Sequence, residues 1–226
     1  MAAYFQLVLD TTPPAGVSVV MNGGDPATGS RDVTLSIATT DPDTTGYQVK
    51  IYGDVDDAHA PAEYRATEAN APWVTYVASK GIRLSAGDGT KTVRIKVRDD
   101  VGNASAEASD TIVLDTTAPV VTVGTPSAAK ISKVAGYDES VFDWEADEPF
   151  EEYKVLVVQS QSATHTQGTQ IPTTAGSANV AGSAGGYPAA TPITTTVKGA
   201  DYEAAGGDAD SYVKVFVRDS TGTWSL

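Results

Sequence analysis

Cysteine and histidine, two residue types that often carry catalysis, are scarce in this chain. There is no cysteine, and the two histidines, His59 and His165, lie far apart in polar segments. The sequence contains no His-x-x-x-His pair and no Glu-bearing zinc-ligand spacing. No nucleophile elbow or phosphate-binding glycine loop is present either. The adjacent carboxylates Glu151 and Glu152 do not by themselves flank a cleft, as glycosidase chemistry requires. The sequence therefore predicts a protein that is not an enzyme.

Aspartates near turns are the remaining candidates for binding a ligand. Asp99, Asp100 and Asp115 offer oxygen donors, which Ca²⁺ prefers. No twelve-residue EF-hand loop is present, and aspartate is also a common turn residue because its side chain bonds nearby backbone. Two interpretations stay open, structural turns and a calcium site on these three residues. No other cofactor is predicted.

The composition favours many short strands joined by turns. Of the 226 residues, 41% are hydrophobic, which is enough to fill cores, and 21 Gly and 12 Pro interrupt stretches rich in Val and Thr. The net charge of −14 repels phosphate, so nucleic acids are not expected as partners. No apolar run approaches the roughly 20 residues of a membrane span, so no membrane insertion is expected.

An internal repeat divides the chain. Residues 5–14 (FQLVLDTTPP) and 110–119 (DTIVLDTTAP) share V-L-D-T-T-x-P, and residues 92–103 and 212–223 share V-x-V/I-x-V-R-D-x-x-G. Each repeat has the length of one immunoglobulin-type sandwich. The sequence predicts an all-β protein with two tandem immunoglobulin-like β-sandwich domains. These are an N-terminal strand or arm at 1–10, a first domain at 11–115, and a second at 116–226 with a long loop at 159–199.

The shared strands have one buried face. Apolar residues stand at every second position, which are Val93, Ile95 and Val97 in the first repeat and Val213, Val215 and Val217 in the second. The outer face of the second strand carries Phe216 where the first has Lys96. Phe216 is therefore expected to be exposed. It either marks a contact surface or is a singly exposed apolar residue without a role.

Three runs of the first repeat resemble a known family. They are residues 85–93 (SAGDGTKTV), 97–103 (VRDDVGN) and 110–119 (DTIVLDTTAP). They are similar to bacterial immunoglobulin-like (Big-type) repeats, which occur in bacterial surface adhesins and in tail and capsid appendages of bacteriophages. The second repeat keeps V-R-D-x-x-G but departs from the pattern at 159–199. The resemblance implies the fold and these two settings, and no single function.

The second repeat lacks the last strand that the first repeat has at 110–114, and the chain begins with a strand of that type. The predicted donor strand contains Tyr4, Phe5, Leu7 and Leu9. The predicted acceptor edge contains Val213, Val215, Phe216, Val217 and Trp224. An unpaired edge invites strand addition. Three outcomes stay open: donation to another copy or another protein, addition of residues 4–9 to the first domain's own sheet, and filling of the chain's own gap.

The predicted function is that of a structural component of a bacteriophage virion, in the tail, neck or capsid decoration. The first ten residues show no secretion signal pattern, which favours this setting over export. Its partners would be other copies of the chain or other virion proteins. The alternative is a bacterial cell-surface or extracellular module that binds host surface glycans, with Trp73, Tyr76 and Tyr187 stacking on sugars.

Overall fold

The computed structural model describes residues 6–171, 186–208 and 210–226. The chain divides into two compact units, Met1–Thr116 (unit 1) and Thr117–Leu226 (unit 2). Both are built almost entirely of strands, and the all-β fold class is confirmed.

The described residues of unit 1 form eight strands and a short 3-10 helix at Asn22–Gly24. The strands are β1 (Ser18–Met21), β2 (Ala27–Thr28), β3 (Asp32–Ala38), β4 (Gln48–Gly53), β5 (Val74–Thr75), β6 (Ser79–Arg83), β7 (Gly89–Arg98) and β8 (Ala108–Leu114). One sheet has the order β1-β3-β6 and the other β2-β8-β7-β4-β5. All pairs are antiparallel except β2 with β8. Side chains from both sheets, including Leu35, Ile51 and Ile95, form one core.

Unit 2 contains six strands and one helix among the described residues. They are β9 (Val121–Val123), β10 (Glu139–Ala146), β11 (Glu152–Val158), β12 (Thr169–Gln170), β13 (Ile193–Lys198), α1 (Gly199–Ala204) and β14 (Tyr212–Arg218). The sheets have the orders β13-β10-β9 and β12-β11-β14, all antiparallel. Their facing side chains, including Trp144, Val155 and Val217, form the core of this unit.

The two units have the same strand plan with one difference. The sheet β9-β10-β13 of unit 2 corresponds to β1-β3-β6 of unit 1, and β14-β11-β12 corresponds to β7-β4-β5. The V-R-D-x-x-G motif ends β7 in one unit and β14 in the other, which fixes this alignment. In the described part of unit 2, no strand corresponds to β8.

The prediction of a continuous loop at 159–199 is wrong where the structure describes it. β12 pairs with β11, and β13 pairs along most of β10. The run Ile193–Lys198 is rich in threonine and lacks a clear apolar alternation in sequence. This strand nevertheless contributes to the buried interior of unit 2, since Thr195 is fully buried and accepts a 2.8 Å hydrogen bond from Trp144 Nε1. Residues 172–185 of the predicted loop lie outside the described residues.

A candidate strand-acceptor site in unit 2

The outer edge of β14 is the feature that distinguishes unit 2 from unit 1. One side of β14 pairs with β11 from Tyr212 to Arg218. On the other side, the backbone N–H of Val217 donates to Ser225 Oγ (3.0 Å), and Ser225 N donates to Val217 O (2.9 Å). Since backbone groups two residues apart point to the same side of a strand, Val213 and Val215 also present their N–H and C=O groups here. In the described chain, no strand pairs with this edge.

In unit 1, β8 occupies the equivalent edge. The same serine contact is present there, since Val97 N donates to Ser105 Oγ (3.1 Å) and Ser105 N donates to Val97 O (2.8 Å). Beyond it, β8 pairs with β7 from Gly89 to Ile95 and packs against β1. Ile112 and Leu114 of β8 point inward and are 1% exposed. The edge of β14 is therefore the place where unit 1 has a paired strand with two buried apolar side chains.

A groove of about 300 Å³ lies in unit 2 beside the β14 positions that correspond to Val93 and Ile95, the β7 residues that pair with the start of β8. Val121 and Val123 of β9 line one side, Val213 and Val215 of β14 line the other, and Leu226 also contributes. Val123 is 51% exposed and Leu226 is 93% exposed. Val121, Val123 and Leu226 were absent from the sequence-predicted acceptor set. Aligning β9 with β1 would have pointed to the two valines, because β1 contacts β8 in unit 1.

The predicted acceptor residues divide into three groups. Val213 and Val215 lie at the open edge, as expected for an acceptor. The edge at Val217 is occupied by Ser225, and Trp224 forms a β-bridge with Arg218.

Phe216 does not belong to the edge, and the prediction that it is exposed is wrong. It is fully buried with Leu156, Val158 and Ala163 in a second, smaller core on the outer face of β11 and β14. The sequence showed correctly that Phe216 points away from the main core. It did not show that the chain after β11 returns over this face, where Ala163 packs.

His165 and Trp224 lie beside this second core. Their rings stack at 4.7 Å with an interplanar angle of 8°. Lys154 Nζ lies 4.4 Å from the centre of the Trp224 ring. Burial lowers the pKa of His165, and the charge of Lys154 lowers it further, while Glu152 acts in the opposite direction. His165 is therefore a half-buried turn residue that packs on Trp224.

The predicted donor segment is only partly described. Leu7 and Leu9 are 85% and 86% exposed, and Gln6–Asp10 pair with no strand of the described chain. They therefore do not add to the sheet of unit 1 in this structure. The carbonyl of Asp10 accepts a 3.2 Å hydrogen bond from Asn103 Nδ2 of unit 1. Tyr4 and Phe5 lie outside the described residues.

The aromatic residues considered for sugar binding do not form one exposed platform. Trp73 is half-buried, with Arg98 Cζ 4.6 Å and Lys50 Nζ 5.1 Å from its ring centre. Tyr76 packs against the core of unit 1 and donates its hydroxyl to Ile37 O. Tyr187 packs against the core of unit 2, where it stacks on Phe150 at 4.7 Å.

The aspartates considered for calcium have structural contacts. The buried Asp99 carboxylate accepts hydrogen bonds from the backbone N–H of Val101 and Asn103 and from Asn103 Nδ2. Burial raises the pKa of Asp99, but these hydrogen bonds outweigh it and lower the pKa overall. Asp115 N donates to Thr28 O. Within the described ranges, no three His, Asp or Glu side chains converge as metal ligands, and calcium binding stays a prediction. In the same residues, no helix has the length and apolarity to cross a membrane.

No protein-family model matches this chain, and no curated protein matches it. Among solved structures, it is similar to fibronectin(III)-like modules of Clostridium thermocellum CbhA, with 12% identity over 92% of this chain and 89% of that chain and a TM-score of 0.43. It is also similar to carbohydrate-binding modules of the β-sandwich superfamily (14% identity, 96% and 100% coverage, TM-score 0.34). A Bacillus thuringiensis chitinase matches at 16% identity with a TM-score of 0.32. The match covers 92% of this chain but only 30% of the chitinase.

Proposed function

We propose that this chain is a non-catalytic assembly module whose second unit accepts an extended segment by β-strand addition at the outer edge of β14. The open edge at Val213 and Val215, with its apolar groove, is the observation that supports this proposal. Backbone pairing would give affinity, and inward-facing side chains of the added strand would give specificity.

Binding of a matching peptide tests this function. A fluorescent peptide of residues 106–118 contains the strand that fills this place in unit 1. We expect it to bind the whole chain by fluorescence anisotropy. Val123→Asp should weaken binding at least tenfold, because it puts a charge in the groove. Val134→Asp is the matched control, since Val134 is 64% exposed in unit 2 and does not line the groove. Absent binding, or equal binding to both variants, would contradict the proposal.

The second candidate function is glycan binding, as in an adhesin or a carbohydrate-binding module. The observation that favours it is a pair of exposed aromatic residues in unit 2, since aromatic side chains are enriched at binding surfaces. Tyr137 is 75% exposed and Tyr212 is 42% exposed. Affinity electrophoresis on soluble polysaccharides tests this function. Retardation that Tyr137→Ser abolishes would support glycan binding, and unchanged migration on every polysaccharide would count against it.

The biological setting rests on the sequence resemblance alone. It implies two settings, a bacteriophage virion and a bacterial cell surface, and both stay predictions. β-Strand addition fits either setting, because it specifies how the module attaches to another segment and does not specify its biological location. Mass spectrometry of purified phage particles and of bacterial surface fractions would decide between them.

A further inference from the structure

The outer side of β6 is an open strand edge in unit 1. β6 is the last strand of the sheet β1-β3-β6. Arg83 N donates to Tyr64 Oη (3.1 Å) and Arg83 O accepts from Asp56 N (2.8 Å), so both groups point away from β3. Because backbone groups two residues apart point to the same side of a strand, the N–H and C=O groups of Gly81 and Ser79 also point outward. In the described chain, no strand pairs with this side of β6.

Gly81 is an unusual residue for this strand. Its φ lies outside the left-handed region, and a Cβ added to it would meet no atom within 4 Å. The outward positions of β13, the corresponding strand of unit 2, carry Thr194 and Thr196 instead. Glycine weakens a strand, and it often marks a place where a ligand or another backbone approaches closely. Neither backbone conformation nor crowding requires glycine here, so the space beside Gly81 is what this residue provides.

A pocket of about 340 Å³ opens at Gly81. It is lined by Thr34, the residue of β3 that is paired with Gly81, and by His59, Glu63 and Tyr64 from the segment between β4 and β5. A side chain at position 81 would take up part of this space. The pocket and the outward backbone groups therefore lie at the same place on β6.

We propose that unit 1 binds an extended segment of another protein as an added strand on β6, with an aromatic side chain of that segment packed over Gly81. The backbone of the segment pairs with the outward N–H and C=O groups of Gly81 and Ser79. An aromatic residue on the neighbouring strand covers a glycine in an edge strand, and tryptophan or tyrosine in a pocket carries much of the binding energy of an interface. This inference goes beyond the proposed function, because it concerns a different edge in the other unit.

The charges at the pocket indicate the residues that flank the aromatic side chain. Asp32 and Glu63 both line the pocket. Glu63 forms an ion pair with Lys80 (2.7 Å), whereas the Asp32 side chain is 69% exposed and lies 4.0 Å from Arg83 Nε. The Asp32 carboxylate is therefore accessible to a further cation, and the net charge of the chain is −14. Lysine or arginine beside the aromatic residue complements this surface, and acidic residues there are repelled.

A fluorescein-labelled peptide of the sequence KTVTWTVTK tests the inference on the full chain by fluorescence anisotropy. We expect it to bind the wild type. The peptide KTVTATVTK should bind about 30-fold more weakly, because it lacks the aromatic side chain. Methylation of the tryptophan backbone nitrogen should weaken binding about tenfold, because it removes a donor of the added strand.

Gly81→Thr tests the site in the protein. It places in β6 the residue type that β13 has, so its urea midpoint should equal or exceed that of the wild type. Its side chain should weaken binding of KTVTWTVTK at least tenfold by occupying the pocket. Ser79→Thr is the matched control, since Ser79 is exposed on the same strand and does not line the pocket. It should change binding less than about threefold.

Each contrary outcome overturns a named part of the inference. Absent binding, or equal binding to the wild type and Gly81→Thr, overturns the site. A lower urea midpoint of Gly81→Thr shows that the fold requires this glycine, which removes the reason for a ligand there. Equal binding of the methylated peptide overturns strand addition. If Val123→Asp weakens binding as much as Gly81→Thr does, the peptide occupies the edge of β14 and not that of β6.

Discussion

Replacing Phe216 by alanine should strongly destabilise unit 2. The Phe216 side chain is fully buried between Leu156, Val158 and Ala163 on the outer face of the sheet. Truncating a buried phenylalanine costs about 3–5 kcal/mol, because the transfer free energy is lost and a cavity remains. An exposed side chain at the same place would cost less than about 0.5 kcal/mol. These two free-energy costs differ enough for one unfolding measurement to distinguish a buried Phe216 from an exposed one.

Urea unfolding followed by tryptophan fluorescence measures this difference. In a Trp73→Phe background, the remaining tryptophans, Trp144 and Trp224, both report on unit 2. With a typical urea dependence of about 2 kcal/mol per molar, Phe216→Ala should lower the midpoint by roughly 2 M. Val134→Ala is the control, because Val134 is 64% exposed in the same unit. A loss below about 1 kcal/mol for Phe216→Ala would refute the buried placement of this side chain.

Two further predictions concern titrating groups. The pKa of His165 is lowered in the folded protein, first by burial and then by the charge of Lys154. The unfolded state therefore binds more protons as the pH falls. The contribution of His165 to the stability of unit 2 should be fully present above about pH 6.5 and should be lost as the pH drops below that value. In His165→Phe this part of the pH dependence should disappear. Urea midpoints of the wild type and of His165→Phe at pH 7.5 and pH 5 check this. An equal change of midpoint between the two pH values in both proteins would contradict it. Asp99→Ala should destabilise unit 1 by about 2–4 kcal/mol, because it removes a carboxylate that accepts three hydrogen bonds. Asp219→Ala should have a similar effect on unit 2, where the backbone N–H groups of Thr221 and Thr223 donate to the Asp219 carboxylate. Thermal unfolding of each variant checks this, and a midpoint within 1 °C of the wild type would contradict it.

The strands that alternate apolar and polar residues could be predicted from the sequence. In β7, Val93, Ile95 and Val97 are fully buried as the pattern indicates, because a strand with one buried face requires period two. The same reasoning failed at Phe216. Alternation shows which face a side chain is on, but only tertiary packing shows whether another segment covers that face.

The threonine-rich β13 was missed for a related reason. Its buried Thr195 is favourable only because Trp144, far away in the sequence, donates a hydrogen bond to it. No local pattern contains that partner. The edge of β14, in contrast, was accessible from the repeat, because aligning the two copies of V-R-D-x-x-G places it where the first copy has the apolar strand at 110–114. The position of the groove beside this edge required the strand pairing of unit 1.

The position of Ser225 also decides how this protein should be tagged for purification. Two hydrogen bonds fix Ser225 beside Val217, and the next residue, Leu226, already lines the groove. In unit 1 the residues after the equivalent Ser105 run directly into β8. Residues joined after Leu226, whether a natural continuation or an affinity tag, therefore start on the same path and compete for the groove. A tag inserted near the exposed Val134 leaves both the groove and the N-terminal segment unmodified.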